Sequence, residues 1–248
     1  MDRKYWEKIA PSYNEEIFDV LHHDNKKLIR SAIRKIASPG KTLLDAGCAV
    51  GKWLPILSPA FKKVYAVDIS SKNLAIAQKT YPLFKNVQYL RADLSAASVK
   101  LPKADVIICI NAILSDSMKK RSGFFKNIAA STKKNGQLLL VVPSLESWAY
   151  THIIQNKWEI DKKLFSVKIS PGEGLKKYKN FLQGNLDIDN VPTKHYTREE
   201  LILLLQKERF KTLSVKKIEY PWTTEFVKPP KWLHQPYPWD WMVLAVKL

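Results

Sequence analysis

With 248 residues, 46% of them hydrophobic, the chain is long enough for one large α/β domain with elaborations. No run approaches the ~20 apolar residues of a membrane span, and the first residues are too charged for a signal peptide, so the sequence reads as soluble and cytoplasmic, without a membrane partner. Lys plus Arg number 41 against 23 Asp plus Glu, a formal net charge of +18 that favours an anionic partner, nucleic acid above all.

The makeup of that charge weakens the inference. Only Arg3, Arg30, Arg34, Arg91, Arg121, Arg198 and Arg209 are arginines. The rest are lysines spread through every segment, which suit a solvated surface better than the planar forks of specific phosphate or base recognition. The two cysteines, Cys48 and Cys109, exclude a disulfide scaffold and lack the spacing of a zinc site, so both read as small core residues and no metal is expected.

Residues 2 to 37 read as two helices. Tyr5, Trp6, Ile9, Tyr13, Ile17 and Phe18 recur near helical spacing, Pro11 kinks the run, and Leu28, Ile29, Ile33 and Ile36 carry it to Pro39-Gly40. His22 and His23 read as exposed helix-end residues. Thr42 to Ala46 predicts a first strand, followed by a tight turn through Gly47 and Gly51 and a short helix from about Lys52, with Pro55 in its first turn and Ser58-Pro59 at its end. A strand, turn and helix of this kind bring backbone N–H groups up to a small ligand. The dinucleotide pattern G-x-G-x-x-G is not met, because Ala49 and Lys52 occupy its second and third glycine positions.

Val64 to Asp68 predicts the second strand, which places Asp68 about 20 residues past the turn, where a carboxylate accepts hydrogen bonds from ribose hydroxyls. A helix from Lys72 to Thr80 follows, with Ser70 or Ser71 as its cap. Val87 to Leu90 predicts the third strand, and Asp93 stands just beyond it. Asp45, Asp68 and Asp93 thus sit at three successive strand ends, the edge at which open α/β sheets bind ligands.

Read as D-x-G-x-A-x-G, the turn resembles the first motif of class I S-adenosylmethionine-dependent methyltransferases, whose usual form is D/E-x-G-x-G-x-G; Ala49 stands where a glycine is usual. The resemblance implies a Rossmann-like α/β fold: a seven-stranded, mostly parallel sheet with helices on both faces and an antiparallel seventh strand beside the fifth. It implies S-adenosyl-L-methionine as cofactor, seated on Asp45, Gly47, Cys48, Ala49 and Gly51. Asp68-Ile69-Ser70 is similar to the family's second acidic site, which puts Asp68 and Ile69 at the ribose. Ala92, Asp93 and Leu94 resemble the segment whose acid meets the adenine amino group and whose apolar neighbours pack on the ring, and Asn111 and Ala112 complete the expected set. Trp6-x-x-Ile9-Ala10-x-x-Tyr13-Asn14 looks like the family's leader, which implies that Tyr13 lies over the cofactor.

Ala104 to Asn111 predicts a fourth strand buried on both faces. The following Ala112-Ile113-Leu114-Ser115-Asp116 lacks the Asn/Asp-Pro-Pro-aromatic motif of family members that act on exocyclic base nitrogens. A helix from about Met118 to Thr132 leads to a fifth strand, Gln137 to Val142. Residues 143–196 then leave the core pattern for roughly 50 positions, too many for a bare loop. They read as a cap, with a helix bearing Trp148, Ile153, Ile154 and Trp158 on one face, an alternating strand Phe165-x-Val167-x-Ile169, and a turn at Pro171-Gly172-Glu173-Gly174. Thr197 to Glu200 is a capping box that opens another helix, although Glu208-Arg209-Phe210 lacks the glycine common there. Thr212 to Tyr220 and Trp241 to Lys247 predict strands six and seven.

The organisation expected is therefore N-terminal helices over the cofactor (1–40), a core (41–142 and 197–248) and a substrate cap (143–196). Methyl transfer is an in-line displacement that needs alignment and exclusion of water, and a base only where a proton must leave. His195, just before the helix at the mouth of the site, is the first candidate base and His152 the second. Tyr150, Tyr196 and Trp222 are candidate substrate contacts, and Trp232, Tyr237 and Trp239 could join Trp222 in stacking on an aromatic substrate or shielding the sulfonium. The expected activity is methyl transfer to an O, N or C atom of a small or medium-sized molecule, anionic or aromatic. A second reading is an RNA or protein methyltransferase, favoured by charge, and a third is a cofactor-binding scaffold without turnover.

Overall fold

The structure is a computed structural model that describes residues 2–97, 99–161, 171–188 and 191–248. Its frame is a seven-stranded sheet of Ser38–Ala46 (β1), Phe61–Asp68 (β2), Val87–Arg91 (β3), Ala104–Ile110 (β4), Thr132–Pro143 (β5), Phe210–Glu219 (β8) and Trp239–Lys247 (β9), in the order β3-β2-β1-β4-β5-β9-β8. The first five of these strands are mutually parallel, and β9 runs antiparallel between β5 and β8, as the resemblance implies. The chain order reverses beside β1, between its pairings with β2 and β4. This switch point opens the crevice that seats ligands in such sheets.

Both faces of the sheet are covered because the middle stretches of the central strands, such as residues 106–110 and 138–142, are apolar at successive positions and so present apolar side chains to both sides. Leu44, Ala46, Ile107, Cys109, Leu138 and Leu140 pack on one side with Phe125, Ile128, Leu201 and Leu205. Leu43, Val64, Ala66, Val106, Ile108 and Leu139 pack on the other with Ile29, Ile33, Leu54 and Leu74. Cys48 and Cys109 are buried and unpaired, as expected. No helix among the described residues is long and apolar enough to cross a membrane.

Several local expectations are corrected. The N-terminal segment holds four short helices, Arg3–Ile9, Tyr13–Glu16, Val20–His23 and Leu28–Ile36, rather than two. Pro11 forces the first break, in a 3₁₀ turn at Ala10–Ser12, and Asp19 and Asp24 end and restart the chain by capping, with Asp24 accepting the N–H groups of Leu28 and Ile29 at 2.7 and 3.0 Å. Pro171-Gly172-Glu173-Gly174 opens the helix Pro171–Leu182 instead of forming a turn, proline being suited to a first helical position. The helix Leu145–Lys157 buries Ile154 but exposes Ile153, and Trp158, also exposed, lies beyond its end. The strand expected at Phe165 to Ile169 lies outside the described residues. A hairpin, Asn185–Ile188 (β6) with Val191–Lys194 (β7), was not foreseen.

The insertion after β5 starts and ends at one place. Ser144 forms a parallel bridge with Tyr196, whose N–H donates to Pro143 O at 2.9 Å, and Leu145 N–H returns to Tyr196 O at 3.0 Å. Thr197 caps the next helix, Arg198–Lys207, through the N–H of Glu200 at 3.1 Å. Arg209 supplies the left-handed residue after that helix, at φ 61°, where a glycine is common.

Candidate active site

The turn after β1 takes its shape from three residues with positive φ: Gly47 at 85°, Ala49 at 47° and Gly51 at 80°. A Cβ on Gly47 would lie 2.4 Å from Ala112 Cβ, and one on Gly51 would lie 2.7 Å from Leu54 Cδ1, so side chains are shut out by close approach as well as by backbone angle. The N–H groups of Gly47 and Cys48 donate to Val67 O at 2.8 and 2.9 Å. Ala49 carries the left-handed conformation at a cost of about 1 kcal/mol and is held there by its N–H, which donates to Asp68 Oδ2 at 3.0 Å.

Asp68 is buried at the end of β2. Its Oδ1 accepts from Ser70 N–H at 2.8 Å and from Asn73 Nδ2 at 3.4 Å, while Ser70 itself caps the next helix through Asn73 N–H at 3.1 Å. Burial holds the Asp68 carboxyl above its usual range despite those donors. With Ile69, Ala92, Asp93, Leu94 and Ala112 it lines a cavity of about 350 Å³. Asp93 accepts from Ser95 N–H at 2.8 Å and Ser95 Oγ at 2.6 Å, both on Oδ1, so among the described residues Oδ2 is left for a ligand. The expected purine and ribose contacts therefore share one wall.

Asp45 does not join them. It is buried behind the turn, on the wall of neither cavity, and its Oδ2 has no hydrogen-bond partner. Burial first, and Asp68 after it, push its carboxyl up to about 7. Gly51 also stays off the walls and serves the packing of the helix that follows. Of the three acids expected to converge, Asp68 and Asp93 share the wall of the smaller cavity and Asp45 does not line it.

A second, larger cavity of about 1060 Å³ adjoins the first, and Trp6, Tyr13, Gly47, Ala49, Ile110 and Asn111 line both. Lys52 Nζ stands 5.8 Å from the Tyr13 ring centroid and is paired to Asp19 at 2.9 Å. Cys48 lines the larger cavity, its thiol held protonated by burial. Asn111, with φ 47°, donates from Nδ2 to Asp240 Oδ2 at 3.1 Å, while its Oδ1 is buried without a partner. Ser147, Trp148 and Thr193 bring the insertion onto this wall, and Tyr220, Glu225 and Trp239 bring the segment before β9.

His195 reaches the larger cavity, as expected of it. Its Nδ1 donates to Thr193 O at 3.1 Å, and burial, with the Lys194 and His152 charges behind it, lowers its pKa to about 4, so the ring is neutral at pH 7. The other candidates are placed differently. His152 lies on neither wall: its ring packs 3.8 Å from the Trp148 ring, and Nδ1 donates to Trp148 O at 2.9 Å. Tyr150 donates to Pro236 O at 3.2 Å and packs against Trp222 and Trp239. Tyr196 is wholly buried and donates to Ile113 O at 2.8 Å. Trp222 stacks on Phe226 and donates from Nε1 to His234 O at 2.8 Å.

These three aromatics therefore join elements instead of facing the cavity. Sequence reasoning missed Trp148, Tyr220, Glu225 and Asp240 as wall residues. Asp240 carried a usable signal, since an acid at the start of so apolar a strand invites a reason.

Comparison with known proteins agrees with this geometry. The sequence pattern of a family described as a methyltransferase domain matches residues 21–214. A protein of Saccharomyces cerevisiae named as a probable S-adenosylmethionine-dependent methyltransferase, CRG1, is 31% identical over 114 residues, covering 41% of this chain and 38% of that protein, so the match spans well under half of that relative's length. An S-adenosylmethionine-dependent methyltransferase of Mesorhizobium loti superposes with a TM-score of 0.65 at 15% identity, over 92% of this chain and 100% of that one. Magnesium protoporphyrin IX methyltransferase of Synechocystis, solved with bound S-adenosylhomocysteine, superposes with a TM-score of 0.58 at 15% identity, over 99% of this chain and 98% of that one.

Proposed function

The chain belongs to the methyltransferase-domain family, and from that premise we propose that it transfers a methyl group from S-adenosyl-L-methionine to an O, N or C atom of a small or medium-sized molecule. The observation that carries this reading is the pair of cavities with a common wall at Trp6, Tyr13, Ala49 and Asn111. One has the dimensions and lining of an adenosine site; the other is a chamber large enough for an acceptor of several rings.

The residues of the smaller cavity suit the cofactor. Ile69, Ala92, Leu94 and Ala112 offer apolar surface to a purine, Asp93 a free carboxylate oxygen to its amino group, and Asp68 a carboxylate to a diol. When bound, the cofactor supplies a methyl group on a cationic sulfur. Tyr13 and Trp6 then cover the junction of the two cavities and keep water from the transfer, and Asn111 lies at the same junction, fixed by Asp240. His195 is neutral at pH 7 with Nε2 unprotonated, so it can accept a hydrogen bond from an acceptor but is a weak base.

Calorimetry with S-adenosylmethionine and S-adenosylhomocysteine tests the reading directly. Binding of both is expected, followed by incorporation of labelled methyl from the donor into a fraction of small metabolites. Failure of both ligands to bind would remove it.

A further inference from the structure

The larger cavity is acidic inside a strongly basic protein. Five carboxylates line it: Glu15, Glu16, Asp19, Glu225 and Asp240. Against them stand Lys8 and Lys52, the latter already paired with Asp19, and a neutral His195. Of the five, Asp240 is buried and Asp19 half-buried, while Glu15, Glu16 and Glu225 are exposed, so in a chain with a net charge of +18 the cavity and its mouth carry acid where the average surface is basic.

Two of these acids, Glu225 and Asp240, come from the loop before β9 and from β9 itself. Asp240 is nine-tenths buried, opposite Pro143 where β5 ends, and both of its hydrogen bonds, from Asn111 Nδ2 at 3.1 Å and Tyr220 OH at 3.0 Å, fall on Oδ2. Oδ1 has no partner among the described residues and is the oxygen left for the cavity that Asp240 lines. Glu225 has only a long contact from Thr224 Oγ1 at 3.4 Å and forms no ion pair among the described residues. Around them stand Trp148, Tyr220 and Trp239. A buried carboxylate without a cation, beside aromatic faces, is the lining that recognises a positively charged ligand.

Resting on the methyltransferase reading, the geometry points to an amine as the methyl acceptor, its ammonium group held between Asp240 and Glu225 against the rings of Trp148 and Tyr220, the Trp239 ring being already covered by Lys217 Nζ at 3.5 Å. The anionic substrate expected from the surface lysines does not suit these walls. An ammonium nitrogen has no free electron pair, so it must first give a proton to one of the carboxylates. The freed pair then forms the N–C bond while the C–S bonding pair returns to sulfur, and the carboxylate passes its proton to water. The products are an N-methylated ammonium, the demethylated thioether and one proton, so charge and atoms balance. Burial holds both Asp240 and Glu225 above the usual carboxylate range, with the Asp240 charge adding to the effect on Glu225, which improves either as a proton acceptor. Asp240 sits one hydrogen bond from Asn111 at the junction with the cofactor site, the place where a reacting nitrogen is needed.

The test uses isosteric probes on the full chain saturated with S-adenosylhomocysteine. Tryptamine and phenethylamine are compared with tryptophol and phenylethanol and with indoleacetate and phenylacetate, by thermal shift and calorimetry, and the amines are then offered with labelled donor. Amines are expected to bind at least ten times more tightly than the matching alcohols, with the acids weakest, and to take up label. Glu225→Gln and Asp240→Asn should each cut amine binding at least ten-fold while leaving S-adenosylhomocysteine affinity within two-fold. Equal binding of the three probe classes, preference for the acids, or loss of S-adenosylhomocysteine affinity in both variants would overturn the assignment. If S-adenosylhomocysteine itself fails to bind the unaltered protein, the methyltransferase reading fails instead. Glu225→Gln, on a loop residue without ion pairs, keeps the test available should Asp240→Asn not fold.

Discussion

Asp68 holds the backbone of Ala49: its Oδ2 takes the Ala49 N–H at 3.0 Å, joining the end of β2 to the turn after β1. One carboxylate thereby fixes the turn and stands on the wall of the smaller cavity, where the proposed function puts the cofactor's ribose. Replacing it by alanine leaves the N–H groups of Ala49 and Ser70 without their acceptor, at about 1–3 kcal/mol. Asp68→Ala is expected to fold with reduced stability and to lose at least ten-fold in affinity for S-adenosylhomocysteine by calorimetry. Wild-type affinity in that variant would take Asp68 out of the site.

Ala49 stands in a conformation that costs an L-residue roughly 1–2 kcal/mol and costs glycine almost nothing. Glycine also frees the unfolded chain, which returns a few tenths to 1 kcal/mol of that gain. Ala49→Gly is therefore expected to raise the unfolding free energy by about 0.5–1 kcal/mol, read as a higher denaturant midpoint, with cofactor affinity unchanged or improved. A lower midpoint would show that the methyl group packs productively and that the departure from the usual glycine is a gain.

The fold was legible because its signals are local. Apolar runs ending in Asp45, Asp68 and Ile110, with glycines and caps at the corners, set the strand order, and the antiparallel last strand came with the family resemblance. Within the site, Tyr13, Gly47, Ala49, Asp68 and Asp93 could be placed because each is tied to a strand end or the leader. What failed was side-chain direction where the chain is irregular. Tyr196 and Trp222 stand beside the ligand edge in sequence, yet each finds a backbone carbonyl acceptor inside the protein and turns inward to meet it. Asp45, at the end of β1, is buried and lines neither cavity, which an acid's position at a strand end does not reveal.

Asp45 and His195 give opposite pH dependences. Asp45 has a carboxyl at about 7 in the folded protein against 3.8 unfolded, so between those values the folded state binds the extra proton and stability falls as pH rises. His195 lies at about 4 folded against 6.5 unfolded, so between those values the unfolded state binds the extra proton and stability rises with pH. The effects, at most about 4 and about 3 kcal/mol, largely cancel between pH 4 and 6.5. Because Asp68, Asp240 and Glu225 are also held above their usual range and act with the sign of Asp45, the expectation is relative to the wild type: denaturant melts across this range show stability falling less steeply with pH in Asp45→Asn and more steeply in His195→Gln. Parallel profiles for all three proteins would refute both assignments.

Tyr196 is expected to act on stability and not on acceptor binding, and Trp222 on stability first. Tyr196→Phe keeps the buried ring but leaves Ile113 O without its donor, a loss of about 1–3 kcal/mol. Trp222→Ala empties the apolar joint with Phe226 and Ile154 that ties the loop before β9 to the insertion, a loss of about 3–5 kcal/mol. Because Trp222 anchors the segment that carries Glu225 onto the cavity wall, its loss can also loosen that wall, whereas Tyr196→Phe removes a single buried oxygen that lines neither cavity. The discriminating measurement is the pair Tm and KM for whatever acceptor the labelled-methyl screen returns. A lowered Tm with unchanged KM in Tyr196→Phe places the hydroxyl in the frame of the insertion. A raised KM at unchanged Tm would return Tyr196 to the substrate wall from which its burial removes it.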